Sequence, residues 1–195
     1  MKKIVFAAFI ALGFTLCSQN TQAQAWEKSS KVLSLGLGGS DFVHIYSGNA
    51  YYGWGAWNAP LTGQFNFQGE FGVHDYVGIG FTTGIGGRGG YWSGYAGEIN
   101  VPAAVLANFH FYQLIADKTG KDIHSDKLDI YAGVALGAGV AAQFFNNGGS
   151  QVVPIVIGGV HAGVRYYFTD KFGVNGEIGT PYGKGFINGG VVFRL

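Results

Sequence analysis

Cysteine is all but missing from this 195-residue chain: Cys17 is the only one, and it lies in a leader expected to be removed. What remains then has neither a disulfide nor a thiolate site. Charge is scarce as well, at 12% of residues, about half the usual share for a soluble domain. The longest apolar run, from Ile4 to Leu16, falls short of the roughly 18 residues that suggest a spanning helix. No basic excess is available either, with 12 Lys and Arg against 11 Asp and Glu, so nucleic acid is excluded as a partner. Together these absences exclude a disulfide scaffold, a helical membrane bundle and an ordinary soluble surface.

The N-terminal stretch has the parts of an export signal. Lys2 and Lys3 precede the apolar run, and a polar segment then ends in Ala23, Gln24 and Ala25, an A-x-A cleavage pattern. The expected division is a signal peptide over 1–25, cleaved, and an outer-membrane β-barrel domain over 26–195, with a cut after Ala23 as the alternative. Leu16 before Cys17 argues against a lipoprotein. Loss of the two lysines would leave the mature chain with a net charge near −1.

What is present in quantity is glycine, 35 residues, and aromatics, 16%. They are arranged with period two. From Leu61 the odd positions carry Leu61, Phe65, Phe67 and Phe71, and the even ones Gln64, Asn66, Gln68 and Glu70, which places apolar and polar side chains on opposite faces of a strand. The same alternation predicts eight strands, over about 31–40, 61–73, 76–86, 100–112, 127–140, 154–168, 172–179 and 185–195. Glu70, Asp129, Arg165, Glu177 and Arg194 all fall on the polar parity, which a one-residue slip of register would reverse.

Connections after the second, fourth and sixth strands are polar or charged, while those after the odd strands are rich in Gly, Asn and aromatics. That is the layout of periplasmic turns and surface loops. Tyr51, Tyr52, Trp54, Trp57, Tyr91, Trp92, Phe144 and Phe145 fall at the outer ends, and Tyr76, Phe111, Tyr112, Tyr166, Phe168, Phe172 and Phe193 at the inner ends, as two girdles would. Pro60, Pro102, Pro154 and Pro181 are expected at outer strand ends or in outer loops. A soluble barrel or sandwich would also alternate, but its wet face would carry Lys, Glu and Thr. Here that face is largely glycine in the third and fifth strands, which suits a crowded interior.

The expected fold is therefore all-β, an eight-stranded antiparallel up-and-down transmembrane β-barrel, monomeric and in the outer membrane. Gly190, Phe193 and Leu195, within Gly190-Val191-Val192-Phe193-Arg194-Leu195, fit the C-terminal assembly signal of such barrels, with Leu195 in the place of the usual Phe. From Gly163 the chain reads Gly-Val-Arg-Tyr-Tyr-Phe-Thr-Asp-Lys-Phe-Gly-Val-Asn-Gly-Glu-Ile-Gly, and from Val105 it reads Val-Leu-Ala-Asn-Phe-His-Phe. These stretches resemble the outer membrane protein β-barrel domain family, porin-like small barrels of OmpA/OmpX-type architecture. The resemblance spans the mature chain and implies fold and location rather than activity.

Expected partners follow from that location: outer-membrane lipid and lipopolysaccharide, the barrel-assembly machinery and periplasmic chaperones, and an extracellular sugar or protein. Glu70, Asp129, Arg165 and Glu177 are expected to form a polar network that fills the lumen. Arg165 should lie opposite Asn175 and diagonal to Glu177. Of the five histidines only His110 and His161 face inward, and neither has a carboxylate or histidine at a ligand spacing, so no metal or other cofactor is expected. Gly84, Gly86 and Gly89 satisfy G-x-G-x-x-G without a following helix and suggest a flexible surface loop.

The aromatics of the first loop, Tyr51, Tyr52, Trp54 and Trp57, together with Tyr91 and Trp92, suit contact with sugar faces or protein. The expected function is structural or surface interaction, without catalysis. A narrow channel for small solutes is the first alternative. A lipid A acyl hydrolase or acyltransferase is the second, although His124 and Ser125 are adjacent and point apart.

Overall fold

The computed structural model describes residues 24–39, 44–46, 49–51, 63–89, 95–120, 124–180, 184 and 187–195. Their alternating pattern folds into β1 (Lys31–Gly38), β2 (His44–Tyr46), β3 (Asn49–Tyr51), β4 (Gly63–His74), β5 (Val77–Gly89) and β6 (Tyr95–Phe109). A helix, α1 (Phe111–Thr119), then leads to β7 (Leu128–Phe145), β8 (Ser150–Tyr167), β9 (Phe172–Gly179) and β10 (Ile187–Arg194). Among the described residues β2 and β3 pair only with each other. The other eight strands form one closed antiparallel ring in which sequence neighbours are spatial neighbours, and β10 returns to β1 with Leu33 opposite Phe193 and Gly36 opposite Gly190. Closure leaves no edge to pair with another chain.

Each strand sends one parity outward. Leu37, Phe65, Ile85, Val105, Leu136, Val160, Ile178 and Ile187, one from each wall strand, are all exposed large apolar residues. The opposite parity is buried in the lumen and is polar over much of its length: Gln64, Asn66, Gln68, Glu70, Asn108, Asp129, His161, Arg165, Asn175, Glu177 and Asn188. The lumen is too tight for side chains from every strand. A Cβ added at Gly78 would meet the Glu70 carboxylate, and the Trp26 ring at 2.7 Å. One at Gly133 would meet the Asn108 amide, the Ala107 carbonyl at 2.5 Å and His161 Nε2 at 2.8 Å. Glycine on the polar face is thus the space left for neighbouring side chains.

Five details depart from the sequence reading. The fourth wall strand runs from Tyr95 to Phe109 rather than over 100–112, and α1 replaces its end, taking Phe111 and Tyr112 with it. His110 N–H donates to the Tyr76 carbonyl at 2.8 Å, which ends the ladder, and Gly120 caps the helix in the left-handed region with φ 60°. β7 and β8 are 18 residues each, well beyond the 9–11 or so that a spanning strand needs.

The longer strands also take in two of the prolines. Pro102 lies within β6, where the β5 ladder is interrupted between Thr83–Ala103 and Gly86–Asn100 with the register unchanged, because proline has no N–H to donate. Pro154 lies in the part of β8 that runs beyond its pairing with β9, which starts at His161. Gly84, Gly86 and Gly89 are in β5 rather than a loop, with Gly86 opposite Gln64 on one side and Asn100 on the other. Finally, the lumen parity is not polar throughout: Val153, Ile155 and Ile157 of β8 and Leu106 of β6 point inward and are buried.

Candidate functional site in the barrel lumen

The polar core of the lumen sits near the end that carries both described termini. Arg165 projects from β8 and is fully buried. Its Nη1 donates to Asp129 Oδ2 at 3.2 Å, from neighbouring β7, and its Nη2 donates to Glu70 Oε2, from β4 on the other side of the barrel. His110 completes the group from the junction of β6 and α1. Its Nδ1 lies 2.8 Å from Asp129 Oδ1 and its Nε2 3.0 Å from Glu70 Oε1. An ionised carboxylate only accepts hydrogen bonds, so both ring nitrogens must donate, and the side chain is an imidazolium. Burial alone would favour the neutral ring, but the hydrogen bonds and charges of Asp129 and Glu70 outweigh it and hold the His110 pKa above its ordinary value.

A second group abuts the first. Glu177 of β9 accepts a hydrogen bond from the Tyr131 hydroxyl at 2.6 Å and pairs with the Lys184 ammonium, brought in from the β9–β10 connection. Burial pulls the Lys184 pKa below its ordinary value despite the Glu177 charge. The Tyr131 ring also faces Arg165, whose guanidinium carbon is 4.2 Å from its centroid. Three carboxylates and three cations, counting His110, thus neutralise one another. Two of the cations already fill the space between Glu70 and Asp129, and no metal-binding group of three or more His, Cys, Asp or Glu occurs among the described residues.

Trp26 lies beneath this cluster. It is fully buried and stacks on His110 with ring centroids 3.6 Å apart and an interplanar angle of 5°. Ala25, Val32, Tyr167 and Val192 pack with it as an apolar seal. The Ala25 N–H donates to the Ser125 carbonyl at 2.6 Å, and Arg194 Nη2 donates to the Ala25 carbonyl at 3.2 Å. Ser29 and Ser30 exchange backbone hydrogen bonds with Gly72 at 2.8 Å each, so the strap formed by residues 24–30 is tied to β4 as well.

Of the four residues read as a lumen network, the structure brings Glu70, Asp129 and Arg165 into direct contact. Arg165 lies opposite Asn175 in the β8–β9 register, and Glu177 is opposite Gly163, two residues away. Glu177 bonds Tyr131 and Lys184. Trp26, Tyr131 and Lys184 are not legible as members, and the sequence offers His110 no carboxylate at a ligand spacing. Its partners are 19 and 40 residues away in sequence, so no spacing rule reaches them. The parity shared by His110, Glu70 and Asp129 was the available signal.

Among the remaining candidates, Gly190, Phe193 and Leu195 lie at the end of β10, where Leu195 N–H donates to the Lys31 carbonyl at 2.9 Å. Phe193 joins a chain of ring contacts through Phe172, Phe168 and Tyr166, with centroids 5.4–6.2 Å apart. His124 and Ser125 sit in the turn before β7, where His124 has φ 60° and its carbonyl accepts from the Lys127 and Leu128 amides. Tyr51 ends β3, while Tyr52, Trp54, Trp57, Tyr91, Trp92 and Ala23 lie outside the described residues.

No family model matches the chain, and no curated protein matches it. Solved structures do. The outer membrane protein Ail of Yersinia pestis in a phospholipid bilayer nanodisc is similar at 13% identity, over 86% of this chain and 100% of that one, with a TM-score of 0.46. The crystal structure of Ail, the attachment invasion locus protein of Yersinia pestis, matches at 10% identity over 87% and 95%, with a TM-score of 0.43. Neisserial surface protein A matches at 11% identity over 85% and 91%, with a TM-score of 0.42. At these identities and scores the likenesses say nothing of ligand or activity.

Proposed function

We propose that the chain is an integral outer-membrane β-barrel protein whose lumen is shut by its own side chains and whose role is structural or lies in contact at the cell surface. The observation that carries this reading is the inversion of the fold: charged and amide side chains are buried inside, while every wall strand exposes large apolar residues outward. In water so continuous an apolar belt would drive association. Hydrocarbon solvates it at no cost, and a closed ring satisfies the strand backbone there. Among the described residues no helix is long and apolar enough to cross a membrane.

A lumen filled in this way supports surface contact over transport. A path for solutes would have to break the pairs that Arg165 makes with Glu70 and Asp129 and displace Trp26. The contact surface is assigned to the aromatic first loop, through which an extracellular sugar or protein would bind.

Fractionation of expressing cells, followed by gel electrophoresis with and without boiling, should place the protein in the outer membrane as a heat-modifiable band. In planar bilayers the wild type should give no steady current. Steady conductance that Arg165→Ala leaves unaltered would overturn the closed-lumen reading. Deleting residues 47–58 should keep the heat-modifiable band and abolish adhesion to sugar- or protein-coated surfaces, and unchanged adhesion would remove the loop assignment.

A further inference from the structure

We propose that the export signal is cut between Ala23 and Gln24, so that Gln24 and Ala25 stay with the barrel as the outer part of the strap that shuts its mouth. The proposal rests on the reading of the N-terminal stretch as a signal. The sequence alone permits two cuts, because small residues occupy the positions one and three before each: Ala23 and Thr21 for the first, Ala25 and Ala23 for the second. The folded structure separates them.

Ala25 is 1% exposed and Trp26 not at all, whereas Gln24 is exposed. Both backbone groups of Ala25 are used: its N–H holds Ser125 and its carbonyl receives Arg194. Nε and Nη1 of Arg194 have no hydrogen-bond partner among the described residues, and its guanidinium otherwise lies on the Tyr167 ring, 4.1 Å from the centroid. A cut after Ala25 would remove the acceptor for Arg194. It would also place a new ammonium on the fully buried Trp26, beside that guanidinium and inside the apolar seal. An unpaired buried charge next to one of like sign is strongly unfavourable. A cut after Ala23 puts the ammonium on exposed Gln24 and leaves both bonds intact.

The step is a hydrolysis by a signal-removing peptidase. Water adds to the Ala23 carbonyl carbon, the bond to Gln24 nitrogen breaks and that nitrogen takes both protons of the water, which leaves a carboxylate on Ala23 and an ammonium on Gln24. An N-terminal glutamine can afterwards close on its own side chain, its amine attacking Cδ with release of ammonia.

Intact-mass measurement of the protein taken from the membrane of expressing cells tests this directly. The expected mass is that of residues 24–195, or that mass less one ammonia. A chain of residues 26–195, or any other processed N-terminus, overturns the cut. An unprocessed chain of residues 1–195 overturns the signal reading as well. A variant lacking only Gln24 and Ala25, with Ala23 joined to Trp26, should still be processed but unfold about 4 °C or more lower than wild type. Equal unfolding temperatures would overturn the strap's role.

Discussion

Both nitrogens of the His110 ring face ionised carboxylates, and this fixes the sign of a pH effect. A histidine whose folded pKa lies above its ordinary 6.5 contributes stability that is fully present below that value and is lost as pH rises through the folded pKa. The unfolding midpoint of the wild type should therefore exceed that of His110→Gln most clearly below about pH 6.5, and the gap should close as pH rises above neutrality. A gap independent of pH would mean that the ring acts by packing on Trp26 alone. Arg165 gives a larger effect. Arg165→Ala leaves Glu70 and Asp129 buried with only His110 for balance, so a loss of about 3–5 kcal/mol is expected in chemical unfolding. Arg165→Met combined with Glu70→Gln should cost less than Arg165→Ala alone, because the double change removes a charge of each sign.

At the scale of single elements, the strands were legible and the helix was not. Alternation placed all eight wall strands, since each separates a crowded lumen from an apolar exterior. α1 follows β6 after one residue, and its Phe111 continues the strand's aromatic pattern. The signals for a helix were present: Lys118 in the last turn, Gly120 behind it, and a repeat of three to four residues through Tyr112, Ile115 and Ala116. The helix is tied back by the Tyr76 hydroxyl, which donates to Asp117 Oδ2 at 3.0 Å and whose pKa this hydrogen bond raises. Glycine sites within strands give the sharper test. Gly133→Ala should destabilise the barrel by about 1–3 kcal/mol, because the added methyl meets the Ala107 carbonyl as well as Asn108 and His161. The reverse change at an exposed position of the same strand, Ala138→Gly, should cost no more than about 1 kcal/mol.

For the molecule as a whole, the decisive question is which solvent the wall faces. Leu136 of β7 lies opposite Val105 of β6, and the two are 66% and 65% exposed. Leu136→Arg should cost about 2–4 kcal/mol when the barrel is unfolded from bilayers, if the pair sits near the midplane. In a water-soluble barrel so exposed a change would fall within about 0.5 kcal/mol of neutral.

The sequence by itself determined that there are eight wall strands and which face of each turns inward, because period two and the placement of charge are local properties that burial enforces residue by residue. It also marked Glu70, Asp129 and Arg165 as lumen residues. Only the tertiary structure decided who meets whom. Ring closure brings β4 across to β8 and folds the N-terminal strap under both, so Trp26, His110 and Arg165 become neighbours although they are far apart in the chain. Lys184 reaches Glu177 from a connection with no periodic pattern. Such contacts depend on the diameter of the ring and on the space that glycine leaves free, and neither is written in the spacing of residues along one strand.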